Sequence, residues 1–207
     1  MSVSDRLTLG FDTSAAHCAA AVVSGDRILA ERVEPMTKGQ AERLMPMLEK
    51  VLAEAGVAWS DLSAIGVGTG PGNFTGTRIA VAAARGLALA LDIPAEGVTL
   101  AEAHGAGRDV IVCLPAPRGG VHACRGDEVR TTDGTLPDGW SAPLTGPAAA
   151  QVAAATGRAV VEAPSLPVSI ARIAATRAAP DRPDPAPVYL RPADAAPAAD
   201  VPPVILP

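Results

Sequence analysis

Proline placement limits this chain more than any other feature. Four of the twenty prolines (Pro35, Pro46, Pro71, Pro94) lie in residues 1–100, and sixteen lie in residues 101–207. Proline lacks a backbone N–H and fixes φ, so it interrupts helices and central strands. The first half therefore reads as regular structure, and the second as short elements and connections. From Asp181 onward prolines recur every two to five residues with Asp and Ala between them. That spacing predicts an extended segment, with Val201–Pro207 frayed or draped over a surface.

Hydrophobic patterning supplies the elements. Leu7–Phe11, Cys18–Val23 and Ile28–Val33 are apolar runs separated by Asp12-Thr13-Ser14 and Gly25-Asp26, which predicts a three-stranded antiparallel meander. Gln40–Ala55 sets Leu44, Met47, Leu48, Val51 and Leu52 on one stripe of a 3.6-residue period, and Gly56 ends it. Ala64–Gly68 reads as a buried strand, Thr77–Leu91 as a helix apolar almost all round, and Ile93–Val98 as another strand. A helix of that kind must be covered on more than one side. In the second half, Val110–Leu114, Gly120–Cys124, Glu128–Thr131 and Ala159–Val161 read as strands. Ala101–Gly105, Pro147–Ala155 and Ser165–Ala178 read as helices.

Composition excludes several functions. Aromatic residues make up 2% of the chain, too few for a base-stacking platform, and a net charge of −5 argues against a general phosphate-binding surface. Three cysteines without a C-x-x-C pair suggest idle thiols in a reducing cytosol rather than a disulfide or zinc framework. The N-terminus lacks the basic-then-apolar run of a signal peptide, and no apolar stretch approaches ~18 residues without Gly, Pro or charge. The expected location is the cytoplasm, with no membrane contact.

Two motifs carry chemistry. Gly70-Pro-Gly-Asn-Phe-Thr-Gly-Thr-Arg78 joins a strand to a helix, where Gly70, Gly72, Thr75 and Gly76 could present backbone N–H groups to a phosphate. It lacks the P-loop lysine and the third glycine of G-x-G-x-x-G, so a phosphate cradle and a tight turn both remain open. Asp12 and Thr13, with Ser14, either face a phosphate or Mg²⁺ or form an Asx-type turn, and the missing second acidic partner favours the turn. His17, His104 and His122 show no metal-ligand spacing.

Leu9-Gly-Phe-Asp-Thr-Ser14, the Gly70–Arg78 block and Pro187-Val-Tyr-Leu-Arg191 together resemble the TsaB (YeaZ) family. The resemblance runs through most of residues 7–100 and is weak over 115–180. It implies an α/β, actin-like and sugar-kinase-like two-lobe fold, each lobe a mixed β-sheet with helices. On that reading residues 1–100 form the N-terminal lobe, 101–190 a reduced C-terminal lobe and 191–207 a Pro-rich tail. It implies a non-catalytic activator of the TsaD subunit, which transfers a threonylcarbamoyl group to N6 of the adenosine next to the tRNA anticodon. Helices 40–55 and 77–91 would bind TsaD through Leu44, Met47, Leu48, Val51, Ile79 and Ala83. A TsaE-like ATPase and tRNA would be reached through the complex, and the chain alone would pair with itself. The resemblance implies no catalytic residue, metal or cofactor of its own, and leaves room for nucleotide at the TsaD interface. Where TsaD carries two metal-binding histidines, helix 40–55 has none; Gln40 stands where TsaB sequences often have His. Pro115-Ala-Pro-Arg-Gly-Gly120 replaces the family's Asp-Ala-Arg-Arg-Gly-like turn. The competing expectation is an ATPase or phosphotransferase of the same fold using Asp12 and the Gly70–Gly76 loop. A glycopeptidase is a distant third, lacking a metal or nucleophile.

Overall fold

The computed structural model describes residues 6–190. The tail 191–207, with Arg191, lies outside the described residues.

Strands β1 (Leu7–Asp12), β2 (His17–Ser24) and β3 (Arg27–Pro35) form the expected meander. Helix α1 (Gln40–Ala55), β4 (Ala64–Gly68), α2 (Phe74–Leu91) and β5 (Ala95–Val98) follow. The sheet order is β3-β2-β1-β4-β5, with β4 parallel to both β1 and β5. α2 begins three residues before the expected Thr77, because the Asn73 side chain accepts from the Gly76 N–H at 3.0 Å and caps the helix there.

After α3 (Leu100–Gly105) the second sheet repeats that logic in β6 (Ile111–Pro115), β7 (Val121–Arg125), β8 (Glu128–Thr132) and β9 (Leu144–Thr145). Its order, β8-β7-β6-β9, matches the first four strands of the first sheet, with β9 parallel to β6. The expected strand at Ala159–Val161 reduces to a single bridge between Val160 and Leu144. Polar Thr145 and the prolines around it hide β9 from a pattern-based reading. Helix α4 (Ala149–Thr156) packs on this sheet.

α5 (Leu166–Arg177) packs mainly on the first sheet, across β1, β2, β4 and β5, on the face opposite α1 and α2, while Leu166 at its start also reaches the cluster of Val112, Leu114 and Cys124 on the second. Chain order places these residues in the second lobe; their packing places them with the first. Two strand glycines make room for the helix: a Cβ at Gly10 would lie 2.5 Å from the Pro167 carbonyl oxygen, and one at Gly66 2.8 Å from that of Ile170. The chain then returns beside α2. Buried Glu96 accepts from Arg182 at 2.8 and 2.9 Å, and the Val188 N–H donates to the Thr69 carbonyl at 2.8 Å.

Candidate functional site

The Asp12-Thr13-Ser14 turn and the glycine loop meet as one corner. Asp12 ends β1 fully buried. Its two oxygens accept from the Ser14 hydroxyl at 3.0 and 2.8 Å, Oδ1 also accepts from the Ser14 N–H at 3.0 Å, and His17 Nε2 lies 2.7 Å from Oδ1. The Asx-type turn expected from sequence is present, with its carboxylate held inside the fold.

The glycines of the loop are spent on contact with this turn. A Cβ at Gly76 would lie 2.0 Å from the Thr13 carbonyl oxygen, and one at Gly72 2.3 Å from that of Ser14. The Asn73 N–H donates to the Ser14 carbonyl at 2.6 Å, and the Thr13 hydroxyl donates to the Gly76 carbonyl at 2.7 Å. Gly70 takes a left-handed φ of 89°, and Thr75 stays exposed. The loop thus presses its backbone onto the turn, and the Asn73 and Gly76 N–H groups are engaged within the protein.

Beside this corner a cleft of about 790 Å³ opens between the sheets, with Ser14, His17, Gln40, Asn73, His104 and Ser165 among its polar lining. No lysine or arginine lines it among the described residues. Burial pushes the His104 imidazole below the usual histidine range. Asp12 pulls it back up, and His17 pushes it further down. His104 Nδ1 is buried without a hydrogen-bond partner among the described residues. Sequence spacing carries no signal for His104, whereas His17 is legible as the residue that returns across the turn from Asp12.

The expected partner face needs correction. Leu44, Met47, Leu48 and Val51 are all buried in the core between α1 and the first sheet, so none can touch a partner. The stripe is what this lobe needs to cover its own sheet. Ile79 and Ala83 on α2 are half-buried. α2 is the open element: its 18 residues have a mean hydropathy of 1.2, enough by length and composition alone to cross a membrane, yet only 28% are buried. Gly76, Thr77, Ala80, Val81 and Ala84 face the core. Ala82, Gly86, Ala90 and Leu89, the last 86% exposed, face outward.

Sequence reading also missed the clasp at the start of α2. The Arg78 guanidinium sits 3.7 Å from the Phe74 ring centre and donates to the Tyr189 hydroxyl at 2.8 Å, and the two rings lie 5.2 Å apart.

Two sheets of one strand order, facing across a cleft with the β1–β2 turn beside it, define an actin-like protein of the sugar-kinase class. Component A of the Acidaminococcus fermentans (R)-2-hydroxyglutaryl-CoA dehydratase shares this fold at TM-score 0.55 and 11% identity, over 82% of this chain and 98% of that one. YeaZ from Pseudomonas aeruginosa superposes at TM-score 0.64 and 27% identity, covering 89% of this chain and all of YeaZ. A family model described as TsaD, tRNA N6-adenosine threonylcarbamoyltransferase, matches residues 27–184. An uncharacterized protein of Mycobacterium tuberculosis is 38% identical over 180 residues, covering 83% of this chain and 84% of that protein. The Escherichia coli tRNA threonylcarbamoyladenosine biosynthesis protein TsaB is 32% identical over 121 residues, 55% of this chain and 52% of TsaB. The chain belongs to the TsaD-type family, on its TsaB/YeaZ branch.

Proposed function

We propose that this chain is a cytoplasmic subunit for threonylcarbamoyladenosine formation in tRNA, one that binds a TsaD-type transferase and activates it without performing the transfer. The open apolar face of α2 carries the reading. A long helix with 28% of its residues buried is an unfinished surface, and exposed apolar patches beyond a few hundred Å² mark interaction sites. The partner would cover Ile79, Ala82, Ala83, Gly86 and Ala90, within a standard interface of roughly 1,600 Å². The names of relatives support the pathway, since TsaB proteins of Escherichia coli and Bacillus subtilis are threonylcarbamoyladenosine biosynthesis proteins.

The kinase-like alternative asks Asp12 to hold Mg²⁺ and the glycine loop to hold phosphate. The buried carboxylate bonded to Ser14 and His17, and a cleft lining without lysine or arginine, speak for activation by contact instead. Activation then works by binding the active arrangement of the transferase better than the inactive one. A TsaE-like ATPase and tRNA would join through that complex, and without the transferase the same face would pair two copies of this chain.

Coexpression with the TsaD-type protein of the same organism, followed by gel filtration and a tRNA-modification assay, tests this. We expect co-elution, and modification only with both proteins present. Separate elution, or ATP turnover by this chain alone, would overturn it.

A further inference from the structure

The cleft beside the Asp12 corner is built as ligand sites are. At about 790 Å³ it falls within the ~300–1,000 Å³ of small-molecule pockets, which combine apolar walls with a few placed polar groups. Both halves of the chain supply its walls, with Ala15, Ala19 and Val33 from the first and Leu100, Leu114 and Leu166 from the second. The Ser165 hydroxyl donates to the Glu31 carboxylate at 2.5 Å and latches the start of α5 to β3; both residues belong to the lining.

Three polar groups of the lining keep hydrogen-bonding capacity. Gln40, buried at the start of α1, donates to the Met36 carbonyl at 3.3 Å, and its Oε1 accepts no hydrogen bond among the described residues. Asn73 uses Oδ1 to cap α2, which leaves its Nδ2 donors. Burial favours the neutral His104 ring, which carries one proton. Nδ1 of that ring is enclosed without a partner, and an enclosed N–H is rarer than an enclosed lone pair, so the proton sits on Nε2. The cleft therefore offers donors on Asn73 and His104 and an acceptor on Gln40. Charge is nearly missing from it: no lysine or arginine lines it among the described residues, and Glu31 is the one acidic residue of the lining. A phosphate would find no cation there, and a carboxylate would face Glu31 and the Gln40 oxygen. An amide carries an acceptor and a donor on one planar edge without charge, and it matches all three groups.

We propose that this cleft binds a small uncharged molecule carrying an amide on an apolar body, and that it does not take nucleoside phosphates. Gln40 accepts the amide N–H, His104 and Asn73 donate to the amide carbonyl, and the apolar walls cover the body. A ligand held this way touches both halves of the chain at once.

Benzamide, benzoate, toluene and Mg-ATP test this as probes of similar or contrasting shape and charge. The chain has three histidines, so the ring Cε1–H signals in NMR report binding site by site. Benzamide should shift the His17 and His104 signals saturably, with a Kd on the order of 1 mM for so small a molecule. His122, which lies on β7 within 2.8 Å of the Thr131 hydroxyl, should stay unmoved. Benzoate and toluene should each bind at least ~10-fold more weakly, and Mg-ATP should move neither signal. Gln40→Leu and, separately, His104→Phe should each weaken benzamide about tenfold, as for one lost hydrogen bond, with the thermal transition kept. If one variant fails to fold, the other and the four-probe comparison still decide. Absence of a saturable shift overturns the site. Benzoate equal to benzamide makes it an anion site, toluene equal to benzamide a purely apolar one, and displacement of benzamide by Mg-ATP a nucleotide site. Each of those three results overturns the amide assignment.

Discussion

Helices α1 and α2 lie on the same face of one sheet and meet opposite fates. α1 has the cleaner amphipathic stripe, and the core takes all of it: Leu44, Met47, Leu48, Val51 and Leu52 are buried. Its outer side is charged, and it is tied to β3 by Arg43–Glu34 at 2.6 Å and by the Arg32–Glu54 pair. α2 gives water little beyond Thr75, Arg78 and Arg85, and the sheet covers only part of its apolar remainder. A well-formed stripe thus marks a helix satisfied within its own chain. An apolar circumference marks one whose second cover comes from elsewhere.

The largest expected effect breaks α1. Met47→Arg forces a charge into the core and should cost about 4 kcal/mol or more, seen as loss of the cooperative thermal transition. A folded variant that merely loses its partner would return Met47 to the interface and collapse the contrast. Next comes the anchored end of α2. Gly76→Val drives a side chain into the Thr13 carbonyl and should destabilise by about 3 kcal/mol, lowering Tm by roughly 6–12 °C. The open side of α2 behaves oppositely. A Cβ at Gly86 meets nothing within 4 Å. Gly86→Arg should therefore raise the stability of the isolated chain by ~0.5–1 kcal/mol through helix propensity. The same change should weaken transferase binding at least ~30-fold, read by titration calorimetry. Gain of stability with loss of binding is a combination no core position gives.

The smallest effect lies in the cleft. Burial lowers the pKa of His104 in the folded chain below its unfolded value, so the unfolded chain binds the proton first as pH falls. Stability therefore rises with pH in the window just below the ordinary histidine value and falls on acidification through it, with a slope of at most ~1.4 kcal/mol per pH unit. His104→Gln should flatten that stretch of the stability–pH curve measured by urea denaturation. An unchanged slope would assign the titration to another group.

Much of the first lobe was legible. The bounds of α1 and β4 follow from periodicity and from Gly56, and the meander from its turn residues, because these signals are local. The second half was harder to read. β9 is two residues long, and the expected strand at Ala159–Val161 is one bridge, since their pairing depends on partners distant in the chain. The glycine loop was visible, but its purpose was not. Gly72 and Gly76 look alike whether the approaching group is a phosphate or the carbonyls of Ser14 and Thr13, dozens of residues away.

The sequence by itself determined the meander and the order of strands and helices in the first half, the strand-to-helix loop and the excess of apolar residues on α2, because periodicity, turn chemistry and composition act over a few residues. The class of fold came from the resemblance of its motifs to a known family. Only the tertiary structure decided which apolar surface stays open. Burial depends on what packs from across the chain: the first sheet consumed the stripe of α1, and α5 arrived from the second half to close the other face. The outer side of α2 stays largely open, since the strap that returns beside it touches it through Arg78 and Arg85 and leaves Ala82, Gly86, Leu89 and Ala90 exposed.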